Sequence, residues 1–144
     1  MSMVSDVLAK KGRDVATVDP EAIVLEAVKL MHARRIGAVL VMQEQKIVGI
    51  FTERDVLNRV VAAGRDPQKT RVKEVMTEKV AFCTQNTSLE ACRSVMSKHK
   101  LRHLPVIEAG KLVGIVSSGD ILARELQEQE ETIKYLHEYM LGPS

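Results

Sequence analysis

Apolar and polar positions follow the same order twice along the chain. In residues 15–61 the short apolar stretch "VATV" predicts a strand. It is followed by a helical pattern with one apolar face, formed by Val24, Ala27, Val28 and Met31. The stretches "AVLVM" and "KIVGIF" predict two more strands, and a second helix is predicted to begin at Glu53. The order of elements is therefore β-α-β-β-α.

The second copy predicts the same elements with a different helix start. In the first copy Asp19 is a good N-cap with Pro20 at the first helical position. In the second copy Thr87 and Glu90 have capping-box spacing, and the last helix is predicted to begin at Ser118. The connections "QEQ" and "EAG" are short enough for β-hairpins.

The two copies are an internal repeat. An offset of 65 residues aligns 15–61 with 80–126 without a gap, and the related stretches "VSDVL" and "VKEVM" precede the copies. We divide the chain into repeat 1 (1–62), a linker (63–71), repeat 2 (72–126) and a helical tail (127–144). One repeat of this size cannot bury both faces of its sheet alone, whereas two can. The expected fold class is α/β, with two β-α-β-β-α repeats related by a pseudo-twofold axis.

Composition and charge narrow the class of protein. Hydrophobic residues make up 45% and charged residues 28% of the chain, which is typical of a globular protein. The net charge of +2 argues against nucleic acid or an acidic membrane as a partner. No apolar run approaches the roughly 20 residues of a membrane span, and the N-terminus has no signal pattern. We therefore expect a cytoplasmic protein.

The sequence contains few groups of residues that could bind a metal ion, form a disulfide or catalyse a reaction. Cys83 and Cys92 are nine residues apart with no CxxC pattern, so we expect neither a metal site nor a disulfide. No nucleophile–base pair is apparent, so we expect no catalytic residue and no enzymatic activity.

The end of each repeat carries a motif, "GIFTERD" at 49–55 and "GIVSSGD" at 114–120. One interpretation is a capping box, formed by Thr52 with Asp55 and by Ser117 with Asp120. Two details favour a ligand instead. Asp is shorter than the Glu or Gln that a reciprocal cap prefers, and a glycine within an apolar strand suggests that something approaches the backbone closely. A hydroxyl at a helix N-terminus suits a phosphate, and a carboxylate suits a ribose diol.

These motifs, with "LRHLPVIEAGKLVGIVSSGDIL" beside the second one, resemble the CBS domain from Val4 to about Leu126. Two CBS domains form a Bateman module. The resemblance implies a regulatory sensor with no obligatory cofactor. Its ligand would be an adenosyl compound (AMP, ADP, ATP, S-adenosylmethionine or NAD(H)) held in the cleft between the repeats. It also implies a homodimer that signals through dimer contacts or through a regulated partner protein.

The resemblance also implies the site residues. Asp55 and Asp120 would bind ribose hydroxyls, and Thr52 and Ser117 would lie near phosphate. The other implied contacts are Thr17, Val18, Gly37 and Ala38 in repeat 1 and Phe82, Cys83, Arg102, His103, Leu104 and Pro105 in repeat 2. Arg54 would add a phosphate-pairing guanidinium to the first motif, where the second has Gly119. We therefore expect two unequal sites. Two alternatives stay open, namely that His103 is a structural histidine and that Arg54 is a surface charge.

Two further alternatives concern the tail and the function. Leu122, Leu126, Gln129, Ile133, Leu136 and Met140 form a heptad stripe of less than three full repeats. The tail is then either a helix docked on its own domain or a dimer-forming arm. The alternative to the sensor is a structural or protein-interaction CBS pair whose degenerate nucleotide sites are empty.

Overall fold

The computed structural model describes residues 2–141, which form two compact units. Val15–Val80 form one, which we call the repeat-1 unit. The N-terminal residues through Asp14 join the chain from Ala81 onward in the other, the repeat-2 unit. The units in space and the repeats in the sequence therefore have different boundaries. In chain order the elements are α1 (Val4–Lys11), β1 (Thr17–Val18), α2 (Val24–Arg34), β2 (Ala38–Gln43), β3 (Lys46–Thr52), α3 (Glu53–Asp55, continuing as the π-helical segment Val56–Val61), α4 (Val72–Val75), α5 (Leu89–His99), β4 (His103–Glu108), β5 (Lys111–Ser117) and α6 (Ser118–Leu141).

The predicted β-α-β-β-α order is confirmed in both copies. In the repeat-1 unit β1 pairs parallel with β2, and β2 pairs antiparallel with β3. In the repeat-2 unit β4 and β5 form the same hairpin, and the first strand is reduced to a parallel bridge between Cys83 and Val106. Val18 and Val41 form the equivalent pair at the 65-residue offset, so the register of the sheets is repeated together with the sequence.

The predicted hairpins are also confirmed, and both make tight turns. The two turns are Glu44-Gln45 and Ala109-Gly110, and all four residues have positive φ. Two-residue turns of this kind match the twist of the strands that they join.

The predicted start of the first helix was wrong in both repeats. Asp19 forms a local turn in which its carboxylate accepts the backbone N–H of Glu21 at 2.8 Å, and α2 begins only at Val24. The linker takes over the capping, because the carbonyl of Thr70 accepts the Val24 N–H at 2.8 Å. In the second copy Ser88 replaces the predicted Thr87 as N-cap, and its hydroxyl accepts the N–H of Ala91 at 3.1 Å.

The short helices α1 and α4 complete the hydrophobic cores. Val4, Val7 and Leu8 of α1 are buried with the β4–β5 hairpin in the repeat-2 unit. The stretch "VKEVM" at 72–76 buries its apolar side chains with β2 and β3 in the repeat-1 unit. Each helix thus precedes one repeat in the sequence and packs on the other. This exchange explains why the compact units do not coincide with the sequence repeats.

Helix α6 continues far beyond the second motif, as predicted. Residues 129–140 are exposed along their whole length, so this part of α6 is not docked on its own domain. Within residues 2–141, no helix combines the length and the apolar character that crossing a membrane requires.

Candidate functional site

Both motifs lie at a junction where a strand runs directly into a helix, and both form a reciprocal capping box. The Asp55 carboxylate accepts the backbone N–H of Thr52 at 3.0 Å, and the Thr52 hydroxyl accepts the N–H of Asp55 at 3.2 Å. The equivalent distances for Ser117 and Asp120 are 2.9 and 3.1 Å. The shorter side chain of Asp therefore does reach back, and the expectation that Asp argues against a cap was wrong.

The motif glycines allow the protein itself to approach closely. A Cβ on Gly49 would lie 2.6 Å from the Met76 sulfur and 2.9 Å from the Thr77 carbonyl oxygen. A Cβ on Gly114 would lie 2.8 Å from a methyl carbon of Leu8. The absence of a side chain at Gly49 and Gly114 therefore lets the segments that carry α4 and α1 pack closely, and no ligand is needed to explain these glycines.

The first motif carboxylate is buried and surrounded by groups of its own unit. Only 8% of the Asp55 side chain is exposed. The Thr77 hydroxyl donates to its carboxylate at 3.0 Å, and the guanidinium of Arg59 lies 3.7 Å away. Thr77 is held there by two backbone hydrogen bonds with Ile50, each 2.9 Å long. The Asp55 carboxylate therefore caps α3 and also accepts a hydrogen bond from Thr77, in the segment that follows α4.

The second motif carboxylate is more accessible and has a cationic partner. The side chain of Asp120 is 25% exposed, and the Lys11 ammonium donates to it at 2.6 Å. Lys11 also donates to the carbonyl of Ile115 at 2.9 Å, so its position is fixed at two points. Partial burial alone would raise the pKa of Asp120, but hydrogen bonds from Lys11 and the Ser117 N–H hold that pKa below its ordinary value.

Lys11 and Thr77 were missed by the sequence interpretation. Their signal was the pair of related stretches at 4–8 and 72–76, because Thr77 directly follows the second and Lys11 lies three residues after the first. The first motif was predicted to carry its own guanidinium, Arg54, where the second has Gly119, and the structure adds a cation to the second motif from elsewhere in the chain. Arg54 is exposed on α3, and α1 brings the Lys11 ammonium to the second motif.

The other predicted residues of repeat 1 lie around the same junction. Ala38 is paired with Thr52 across the β2–β3 hairpin, and the carbonyl of Gly37 accepts the Glu53 N–H at 3.0 Å. Thr17 and Val18 form the strand beside β2. Gly37 and Ala38 therefore meet the first motif at the end of the β2–β3 hairpin, and Thr17 and Val18 lie on the neighbouring strand.

The second predicted set lies around the equivalent junction. His103 is paired with Ser117, and the carbonyl of Arg102 accepts the Ser118 N–H at 2.8 Å. The Cys83 N–H donates to the carbonyl of Pro105 at 2.9 Å. Phe82 leaves 63% of its surface exposed beside the buried Cys83.

The Cys83 thiol is a core group. A hydrogen bond with Cys92 and burial both raise its pKa, so the thiol stays protonated at neutral pH. Cys83 can therefore contribute its backbone and its bulk to a site, but not a thiolate.

Each of two clefts is lined by a single one of the predicted site residues. A cleft of about 800 Å³ between α2 and α3 is lined in part by Gly37. A smaller one of about 340 Å³ between α1 and α6 includes Asp120 and Lys11. Within residues 2–141, no cluster of three or more His, Cys, Asp or Glu side chains could hold a metal ion.

Comparison with known proteins identifies the repeats. The family model described as "CBS domain" matches twice, at residues 4–62 and 72–126. The chain belongs to the CBS-domain family. Its CBS pair is 36% identical to the CBS domain-containing protein YhcV of Bacillus subtilis over 129 residues, covering 90% of this chain and 89% of YhcV.

Solved structures with the same fold include other CBS proteins. A protein with CBS domains from Burkholderia ambifaria superposes with a TM-score of 0.86 at 39% identity, covering 89% of this chain and 96% of that one. The CBS pair of protein MJ0100, solved in complex with 5′-methylthioadenosine and S-adenosyl-L-methionine, superposes with a TM-score of 0.76. It is 24% identical, with coverage of 90% of this chain and 98% of that one, so the likeness to it is one of fold.

Proposed function

We propose that this CBS pair is a regulatory module that binds an adenine nucleotide or a related adenosyl compound at the motif junctions. Candidate ligands are AMP, ADP, ATP and NAD(H). The ligand acts as a signal rather than as an obligatory cofactor, and the proposed function contains no catalytic step. A bound ligand can change the conformation only if it prefers one arrangement of the protein over another. The output would pass through a homodimer or a regulated partner protein.

The observation that carries the proposal is the duplicated junction itself. At each one a hydroxyl and a carboxylate stand at the start of a helix beside the entry to the preceding hairpin. A helix N-terminus with a hydroxyl suits a phosphate, and a carboxylate suits a ribose diol. The MJ0100 pair, which has the same fold, binds two adenosyl compounds, so the fold is able to form such sites.

Charge suggests how the two sites would differ. In the repeat-2 unit the Lys11 ammonium lies 2.6 Å from the Asp120 carboxylate, and an incoming phosphate could take over this cation as its own partner. Asp120 would then be released toward the ribose hydroxyls. In the repeat-1 unit the corresponding carboxylate is held by Thr77, and Arg54 is the cation within the motif. We therefore propose Asp120 and Ser117, with Lys11, as the site that fills first.

A thermal-shift screen against AMP, ADP, ATP, NADH and S-adenosylmethionine tests the function. A ligand at 100 times its Kd stabilises the folded state by about 2.7 kcal/mol, which raises Tm by roughly 5 °C or more. Absence of any stabilisation at millimolar concentrations would refute the sensor function.

Isothermal titration of conservative variants tests the site. We choose Asp120→Asn and Asp55→Asn because an amide oxygen can still accept the cap N–H, while the carboxylate charge is removed. Asp120→Asn is expected to weaken the first binding event at least tenfold, and Asp55→Asn to affect only a second one. Asp66→Asn is the matched control, because Asp66 also accepts a backbone N–H but lies in the linker. Unchanged binding in the double variant Asp55→Asn/Asp120→Asn would refute the ribose assignment.

The second candidate function is a structural or protein-interaction pair with empty sites. It is favoured by the fact that both carboxylates already have partners, Thr77 for Asp55 and Lys11 for Asp120. The same titration distinguishes the two functions, because a pair with empty sites binds no adenosyl compound in either unit.

A further inference from the structure

The backbone passes between the two compact units twice. We call the three residues before each passage a crossing, 12–14 for the first and 78–80 for the second. Lys11 stands directly before the first crossing, and Thr77 stands directly before the second. Each of these two residues donates a hydrogen bond to a motif carboxylate. Each candidate site therefore holds the start of one crossing.

The second crossing is anchored mainly by the backbone. The N–H and the carbonyl of Thr77 both pair with Ile50, at 2.9 Å each. The guanidinium of Arg59 also donates to the carbonyl of Met76 at 2.8 Å. None of these three bonds involves the Asp55 carboxylate. A ligand that binds this carboxylate therefore leaves the anchor of the second crossing in place.

The first crossing is anchored by a side chain instead. Ile115 is the counterpart of Ile50 at the 65-residue offset, and its carbonyl accepts the Lys11 ammonium at 2.9 Å. Within the part of the chain that the structure describes, no backbone bridge joins Ile115 to residues 9–14. The same ammonium donates to Asp120 at 2.6 Å. In the repeat-2 unit one lysine side chain thus takes the place of a backbone pair.

The chain around this lysine has few other contacts. Residues 9–14 are all exposed, and the last buried side chain of α1 is that of Leu8. Gly12 has a φ of +97°, and a Cβ built there would meet nothing within 4 Å. The guanidinium of Arg13 donates to the Gln85 side chain at 2.8 Å, in an exposed hydrogen bond. An exposed turn with so few contacts opens locally at a low cost in free energy.

The tie between Lys11 and Asp120 is open to a ligand. Both residues line the cleft of about 340 Å³ between α1 and α6. A phosphate is a strong partner for an ammonium, because both groups are charged. A phosphate that enters the cleft can therefore compete with Asp120 and with the Ile115 carbonyl for Lys11.

We propose that Lys11 is a latch on the first crossing and that a bound nucleotide opens it. This inference rests on the proposed function, in which a phosphate takes Lys11 as its partner and Asp120 turns to the ribose. The ammonium then leaves the Ile115 carbonyl, and the last turn of α1 and the first crossing lose their anchor. Ligand binding in the repeat-2 unit is thereby coupled to one of the two chain connections between the units.

Hydrogen exchange by mass spectrometry tests the latch in the full chain. AMP, ADP, ATP and NADH are used one at a time, each at a concentration that saturates its thermal shift. A nucleotide that binds is expected to make exchange at residues 9–14 about twofold to fivefold faster, as for the loss of a solvent-accessible ion pair. Residues 76–80, around the second crossing, should show no such increase.

Two lysine variants separate the latch from a general effect of charge. Lys11→Met should show the faster exchange at 9–14 without nucleotide, and nucleotide should add no further increase. Lys10→Met is the matched control. Lys10 lines the same cleft but makes no hydrogen bond or ion pair with the described residues 2–141. This variant should exchange like the wild type, both with and without nucleotide.

The outcomes distinguish the latch from the proposed function. If no nucleotide gives a thermal shift, both are overturned. A thermal shift with unchanged or slower exchange at 9–14 would overturn the latch alone. The latch is also overturned if Lys11→Met, without nucleotide, exchanges at the wild-type rate.

Discussion

Asp55 and Asp120 begin the same helix in two copies of one repeat, yet they have different surroundings. Both accept the N–H of the residue three positions earlier, at 3.0 and 2.9 Å. Asp55 is then buried against the Thr77 hydroxyl, whereas Asp120 is three times more exposed and paired with Lys11. The difference comes from the segments around α4 and α1, and not from the motifs. A repeated motif therefore fixes the local cap, while its chemistry depends on the segment that packs against it.

Removal of each carboxylate should have the largest effect and should separate the two copies. Asp55→Ala leaves the half-buried Thr77 hydroxyl without its acceptor and removes the cap of α3, so we expect a loss of about 2–4 kcal/mol in the free energy of unfolding. Asp120→Ala should cost about 1 kcal/mol, because its ion pair is partly exposed. Urea unfolding followed by circular dichroism measures both. Equal losses would contradict the comparison.

The two motif glycines should respond unequally to alanine. In Gly49→Ala the new methyl group meets the Thr77 carbonyl oxygen, which cannot move without breaking its hydrogen bond with Ile50. We expect a cost of about 1–3 kcal/mol there. In Gly114→Ala the methyl group meets the end of the Leu8 side chain, which can rotate, so the cost should stay below about 1 kcal/mol. Hydrogen exchange by mass spectrometry, read separately for β2–β3 and β4–β5, assigns each loss to its unit.

These glycine variants also test why the glycines are there. If Gly49 served a ligand alone, Gly49→Ala would leave the stability of the unliganded protein unchanged. A loss of stability without ligand supports the packing explanation.

Thr77→Val should have an intermediate effect. The substitution keeps the shape of the side chain but removes the donor to the buried Asp55, which should cost about 1–2 kcal/mol. Thr132→Val is a suitable control, because its hydroxyl donates to an exposed backbone carbonyl on α6. A control loss as large as that of Thr77→Val would contradict a special role for Thr77. Urea midpoints of the two variants give the comparison.

Lys11→Met should have the smallest effect at neutral pH, below about 1 kcal/mol, because the pair is accessible to solvent. The size of this effect depends on pH in a defined direction. The folded-state pKa of Asp120 is held below its ordinary value, so the contribution is complete above about pH 4 and is lost as the pH falls through the folded-state pKa. The stability difference between wild type and Lys11→Met should therefore shrink below pH 4. Urea midpoints at several pH values measure it, with Lys10→Met as control; a difference that grew on acidification would contradict the ion pair.

Local patterns predicted much of the fold. The hairpins, the helix starts at Glu53 and Ser118 and the long α6 follow from periodicity, turn length and a hydroxyl–acid pair, all of which act between near neighbours. The start of α2 was mispredicted because its capping group, the Thr70 carbonyl, belongs to the linker 46 residues later.

The site was harder to predict for the same physical reason. The motif hydroxyls and carboxylates could be found from their spacing, and the structure places Ala38 beside Thr52 and His103 beside Ser117 at the two junctions. Lys11 and Thr77 could not be found, since they approach the motifs through packing over 109 and 22 residues of sequence. The exchange of α1 and α4 between repeats is a property of tertiary packing that the related stretches "VSDVL" and "VKEVM" do not encode by themselves.

That exchange has a consequence for synthesis on the ribosome, where domains fold as they emerge. Val15–Val80 leave the exit tunnel as one continuous segment that contains α4, so this unit has its complete core early. Helix α1 is translated before this segment but finds its partners, β4 and β5, only after residue 117 has been added. During that interval Val4, Val7 and Leu8 have no core to enter. Helix α1 is thus made before either core is complete and is among the last elements to be buried, and a nascent-chain chaperone would find an apolar sequence to bind there.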